Sequence, residues 1–170
     1  MKKILDKYAE LIRKVDNFSQ RLCKKHAGYI SCKKGCFDCC GLKTVSSIEA
    51  YMILKKGLER LSIKKQGIIK QLSANAKRKY CVFLHKGSCL VYKQRPLICR
   101  THGYPIYINT KVDFCPVNFK GVTGFKTDDI LNIEKITEYL MALNIEFTRK
   151  TDLKEFKKPR IRLSRLIRLT

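Results

Sequence analysis

The sequence predicts an α+β fold, with helices packed around short β-hairpins and loops pinned by clustered cysteines. Three observations lead there. Amphipathic helical patterns occupy both ends of the chain and part of its middle. Between them lie short apolar runs broken by glycine and proline. Eight of the nine cysteines fall between residues 32 and 115, in tight groups beside turn residues. At 170 residues the chain is long enough for one domain that buries roughly two thirds of its unfolded surface. We expect that domain over residues 1–148, with the cysteine-rich core at 30–116 and a basic tail at 149–170.

Residues 3–26 read as a helix, because Leu5, Tyr8, Leu11, Ile12, Val15, Phe18 and Leu22 recur at spacings of three and four. Cys23 borders that stripe and is expected in the core. His26 falls near the helix end, where a cation suits the terminal carbonyls. A loop carrying the first cysteine group follows at 30–42. Ser46-Ser-Ile-Glu49 has the form of a capping box opening a helix over 47–57, and Gly57 ends it. A further helix is expected over 62–79 with Ile63, Ile68, Ile69 and Leu72 inside.

The apolar runs Cys81-Val-Phe-Leu and Cys89-Leu-Val-Tyr, separated by His85-Lys-Gly-Ser, predict a hairpin. Arg95-Pro96 ends it, since proline disfavours helix before it and donates nothing to a ladder. Tyr104 to Ile108, a turn at Asn109-Thr-Lys and Val112 to Cys115 predict a second β pair. A last long helix is expected over 127–146, capped by Thr127 or Asp128, with Ile130, Leu131, Ile133, Ile136, Leu140 and Leu143 inward. From Thr148 onward nine Lys or Arg stand against two acidic residues. The tail reads equally as an edge strand, an amphipathic arm on a polyanion, or a segment docked on the domain.

No apolar run approaches the roughly 20 residues of a membrane span, and the N-terminus lacks a signal-peptide core. We therefore expect a cytoplasmic protein. In a reducing compartment, clustered cysteines point to metal or redox chemistry ahead of disulfides. The vicinal Cys39-Cys40 pair also argues against simple staples. Cys32, Cys36, Cys39, Cys40, Cys81, Cys89, Cys99 and Cys115 would supply two four-thiolate zinc sites, or one or two iron–sulfur clusters such as [4Fe–4S]. Spacing does not decide which cysteines share a site. His102, in C-x-x-H spacing after Cys99, is a candidate ligand or a loop histidine. Asp113 is a candidate ligand or a group orienting one. Arg95 and Arg100 offset thiolate charge or serve the surface.

Cys32-x3-Cys36-x2-Cys39 also has the spacing of radical S-adenosylmethionine enzymes. The chain has too few β-runs for their partial barrel, and Asp38 replaces their usual aromatic residue. The net charge of +23 favours polyanions such as RNA, or reflects a lysine-rich surface with no specific partner. Two filled thiolate sites would lower it only to about +19.

Cys32-x3-Cys36-x2-Cys39-Cys40, Cys81-x-Phe-Leu, Cys89-Leu-Val-Tyr and Arg95-Pro-x-x-Cys99-Arg100 together resemble the YkgJ-type cysteine-cluster family of zinc- or iron-chelating domains. The resemblance covers about residues 30–116. It implies that Cys32, Cys36, Cys39, Cys40, Cys81, Cys89 and Cys99 bind metal, with Cys115 as an eighth member. Val82 departs from the pattern where a proline often follows the first cysteine of the second group. A flagellin lysine N-methylase has a similar cysteine pattern, but no glycine-rich strand–turn–helix here suits S-adenosylmethionine. Three functions are thus open: a metal-binding protein whose zinc or iron organises the fold, an iron–sulfur redox or group-transfer enzyme, and a zinc-stabilised RNA- or ribosome-binding module.

Overall fold

The computed structural model describes residues 1–33 and 35–170. Helix α1 (Lys2–Lys25) forms where the sequence places a helix, and Ile4, Tyr8, Leu11, Val15 and Leu22 make its buried stripe. Each such side chain removed from water contributes about 1.5–3 kcal/mol before ordering costs are subtracted. The chain divides into two compact units, one of Met1, Lys34–Pro96 and Asn144–Thr170, the other of Lys2–Lys33 and Leu97–Leu143.

In the first unit, strand β1 (Thr44–Ser46) runs straight into helix α2 (Ser47–Lys56). The Glu49 carboxylate accepts the Ser46 amide at 3.1 Å and the Ser46 hydroxyl at 2.7 Å, as the capping-box pattern predicts. A Cβ on Gly57 would lie 2.4 Å from the Ile53 carbonyl oxygen, so only glycine lets the chain leave the helix on this path. Helix α3 (Ile63–Ala74) is shorter than the 62–79 expected. Asn75 turns extended and its side chain accepts the Lys77 amide at 3.1 Å, a local bond that competes with further helix. Ile63 is 89% exposed, correcting its inward assignment, whereas Ile69 is buried.

The hairpin of β2 (Leu84–His85) and β3 (Ser88–Cys89) turns through Lys86 and Gly87, both at positive φ as a type I′ turn requires. The basic C-terminal segment is ordered. Strand β7 (Arg160–Arg162) pairs antiparallel with β1, with Ile161 inward and both arginines outward. It leads into the short helix α6 (Leu163–Leu166), whose Leu163 and Leu166 are buried. In the same core Phe156 meets Tyr51 and Phe147 edge to face, and Tyr51 meets Phe147 at a tilt of 51°.

In the second unit, α1 packs against helix α4 (Leu97–Thr101). The Arg100 guanidinium donates to both Asp16 carboxylate oxygens at 2.7 Å and the Ser19 hydroxyl donates to the Arg100 carbonyl at 3.3 Å. Strands β4 (Ile106–Ile108) and β5 (Lys111–Asp113) form the second expected hairpin, turning at Asn109 and Thr110. A third strand, β6 (Leu131–Asn132), adds parallel to β4.

Helix α5 (Ile133–Lys150) therefore begins six residues later than expected. Thr127–Asp129 forms a 3₁₀ turn, Leu131 is spent on the sheet, and Asn132 accepts the Lys135 amide at 3.0 Å as the cap. Asp129 is held in that turn by Lys25 and lies 3.6 Å from His26. Burial raises its carboxyl pKa, but these two partners outweigh it and keep the group below the ordinary range. No helix among the described residues is long and apolar enough to cross a membrane.

Asn144, at the first-unit end of α5, accepts the Ile48 amide at 3.0 Å and donates to the Pro159 carbonyl at 2.9 Å. It satisfies a helix-start donor that α2 cannot satisfy itself. Asn144→Ala is expected to lower the free energy of unfolding by about 2–4 kcal/mol, since two buried polar groups lose their partner. Urea unfolding checks this, and a loss under about 0.5 kcal/mol would contradict it.

Candidate metal centre

The cysteines of the first unit sit on backbone with almost no regular structure, so other groups must fix it. Within residues 35–43, the Cys40 amide donates to the Phe37 carbonyl at 2.8 Å and the Gly41 amide to the Cys39 carbonyl at 2.8 Å. This tight turn presents Cys39 and Cys40. The Cys40 carbonyl then accepts the Cys81 amide at 2.7 Å, which ties the first cysteine loop to the start of the hairpin. Phe37 meets Tyr80 edge to face at 5.4 Å beside that junction. Gly35 and Gly87, both at positive φ, pass closely: a Cβ on Gly87 would lie 3.6 Å from the Gly35 Cα.

Two cations fasten the hairpin side. Arg78 donates to the Leu84 carbonyl at 2.6 Å and to the Cys81 carbonyl at 3.4 Å. Lys43 donates to the carbonyls of Arg78, of Lys79 at 2.8 Å and of Tyr80 at 3.4 Å. Cys89 closes the group, paired across the hairpin with Leu84.

The thiols sense one another. Desolvation, followed by the neighbouring Cys40 and Cys36, pushes the Cys39 thiol up to about 11. Burial lifts Cys89 to about 11 as well; the Val91 amide opposes this, Cys81 and Cys40 add to it, and Arg95 opposes it. Burial also raises Cys81 against the Phe83 amide, Lys43 and Arg78. Cys40 is thus the common neighbour of a Cys36–Cys39 side and a Cys81–Cys89 side. The Arg95 side chain, stacked 3.7 Å from the Tyr92 ring centroid, favours thiolate at Cys89, as its place in the sequence suggests.

The second unit holds Cys32, Cys99 and Cys115, and sequence reasoning missed the residue that ties the Cys32 and Cys115 segments. Asn118 is 2% exposed. Its side-chain oxygen accepts the amides of Ser31 at 3.0 Å and Cys32 at 3.1 Å, and its NH2 donates to the Gly103 carbonyl at 3.0 Å. Its own amide bonds the Cys115 carbonyl at 2.9 Å. A Cβ on Gly103 would lie 3.5 Å from the Cys115 Cβ, so the α4 exit and the Cys115 turn are in contact. One signal was available: Asn118 follows Cys115-Pro116 at the spacing of a turn.

Phe119, next to it, takes a positive φ of 57° and is packed edge to face by Phe114, Phe125 and His26. Such a backbone at a bulky residue persists only where its surroundings over-determine it. Cys99 lies on α4, and Cys23 meets the Tyr104 hydroxyl at 3.0 Å. His102 is exposed just past α4. Asp113 is exposed, and its carboxylate accepts the Phe114 amide at 2.9 Å. Arg100 pairs with Asp16 on α1.

Among the described residues, no three His, Cys, Asp or Glu side chains stand in the arrangement of a metal shell. The donor chemistry nevertheless fits a soft or borderline ion: five thiols share the first unit, four outside helix and strand and Cys89 in a two-residue strand. With thiols protonated, nothing draws the sulfurs into one shell; a bound cation supplies that attraction as the protons leave.

A family model described as "CxxCxxCC: putative zinc- or iron-chelating domain" matches residues 31–116. No curated protein and no solved structure matches the chain.

Thiolate absorbance in the ultraviolet should, for the folded metal-free protein, still be rising at about pH 11, where Cys39 and Cys89 are half ionised, whereas the urea-unfolded chain titrates around the ordinary 9.0. Both pKa values are raised on folding. Their stabilising share is therefore complete below pH 9.0 and is lost as pH climbs toward about 11. Coincident folded and unfolded titrations would contradict this placement of the two thiols.

Proposed function

The chain belongs to the CxxCxxCC family of zinc- or iron-chelating domains, and we propose that its cysteines form two thiolate donor sets, one in each unit. The first draws on Cys36, Cys39, Cys40, Cys81 and Cys89. The second draws on Cys32, Cys99 and Cys115. The observation that carries this reading is the position of Cys40, whose carbonyl holds Cys81 and whose thiol shifts both Cys39 and Cys89.

In the first set the metal's work is structural. The donors outnumber the four that a tetrahedral ion takes, and a site closed by protein sulfur adds folding free energy without an open position for substrate. Zinc and iron both accept such donors, and a [4Fe–4S] cluster would use four of the thiols. The second set differs, because three cysteines leave a fourth position. His102, three residues after Cys99, is the candidate to fill it. Left to an exogenous ligand instead, that position would give an iron–sulfur or zinc centre room for redox or group-transfer chemistry.

Metal analysis and the visible spectrum of protein purified without oxygen separate the metals: brown colour with iron in cluster stoichiometry means iron–sulfur, and a colourless sample with tightly held zinc means zinc thiolate. Cys40→Ser/Cys89→Ser, which leaves three thiols in the first set, is expected to lose that set's metal and to melt lower, while Cys23→Ser keeps the wild-type metal content. Refilling a four-thiolate site of the stripped protein at pH 7.5 should release about four protons per ion, and affinity should fall as pH falls. Full metal content in Cys40→Ser/Cys89→Ser, or binding without proton release, would overturn the proposed donor set.

A further inference from the structure

The basic C-terminal segment builds a groove on the first unit that the metal reading does not use. It encloses about 670 Å3 between the β1–β7 ribbon and the turn that precedes β7. Lys154, Lys158, Arg160, Arg162 and Arg165 line it, and Glu155 is the one acidic residue beside them. Among the described residues, the ion pairs involve none of these five cations.

Their placement is built by the fold. On β7, Arg160 and Arg162 flank the inward Ile161, so both project from the outer face about 6.6 Å apart. The Arg160 Nε donates to the Thr44 hydroxyl at 3.2 Å, and its Nη2 to that hydroxyl at 3.0 Å and to the Thr44 carbonyl at 2.9 Å. This locks the side chain and leaves further guanidinium N–H groups free to donate.

We propose that this groove binds the phosphate backbone of single-stranded nucleic acid. Guanidinium groups present two parallel donors to phosphate oxygens, and their spacing along β7 suits successive phosphates of one strand. A chain of net charge +23 gains from a polyphosphate backbone, because each phosphate neutralised releases condensed counterions. Anionic lipid fits less well. The groove is concave, its apolar floor residue Ile161 is 7% exposed, Leu163 and Leu166 of α6 are buried, and Leu169 at the rim is a single part-exposed apolar side chain, too little to insert. No aromatic side chain lines the groove, so bases go unread and binding is independent of sequence.

The proposal is independent of metal. With about four net charges engaged, the affinity of the whole protein for a 20-nucleotide single-stranded RNA should fall roughly 50-fold between about 50 and 200 mM salt. Removing three cations in Lys158→Gln/Arg162→Gln/Arg165→Gln should cut that loss to roughly threefold. All three side chains are exposed, so melting should stay unchanged. A control that removes equal charge elsewhere, Lys2→Gln/Lys3→Gln/Lys7→Gln, should keep most of the salt dependence. Equal weakening by both variants would assign binding to overall charge and overturn the groove. Salt-independent RNA binding would overturn it too, as would tighter binding to phosphatidylserine vesicles or polyglutamate than to RNA at the same salt.

Discussion

The cysteines of this protein are carried by backbone that cannot satisfy its own hydrogen bonds, and that constraint shapes both units. A loop without helix or sheet leaves amides and carbonyls to be paired from elsewhere. In the first unit the pairing falls to the Cys40 carbonyl, Arg78 and Lys43, which together hold the hairpin start against the first cysteine loop. In the second it falls to Asn118, whose single side chain holds the Ser31–Cys32 amides and the Gly103 carbonyl. Thiol donors are thereby placed by polar contacts to the backbone.

The charge of the chain follows a similar division. Near the first cysteine group, Lys43, Arg78 and Arg95 face Cys81 or Cys89 and favour their thiolate forms against burial. Desolvation is nevertheless the largest influence on each of these thiols. In the proposed donor set an ion would displace protons from thiols whose pKa nearby cations pull down against burial, which would couple metal binding to pH. The cations of the C-terminal groove instead lie beside a single carboxylate and are open to an outside partner.

The helices and hairpins were largely legible, and the reasons are local. The stripe from Tyr8 to Leu22 and the Ser46/Glu49 box act within a few residues, as does the Lys86-Gly87 turn, and each formed as the pattern requires. The misreadings arose where a distant partner won. Leu131 fits a helical stripe, yet β4 was available to pair with it, so the helix waited for the Asn132 cap. Ile63 continues an apolar spacing but sits in the first helical turn, where it faces solvent. Likewise, nothing local in Arg160-Ile-Arg162 chooses strand over arm; the exposed edge of β1, more than a hundred residues earlier, chose it.

By itself the sequence determined the fold class, the family and the eight-cysteine inventory, because spacing, turn residues and side-chain chemistry are written along the chain. Tertiary structure alone decided which cysteines are neighbours. Cys40 and Cys81 lie some forty residues apart, and the hydrogen bond between their main chains, with the Lys43 contacts to the residues before Cys81, brings them together. It also decided that Asn118, marked in the sequence as no more than a turn residue after Cys115-Pro116, secures the Cys32 loop, and that a basic tail becomes a strand-built groove. The physical reason is common to all three: a buried polar group must find its partner wherever the folded chain supplies one, and that partner's place in the sequence carries no local mark.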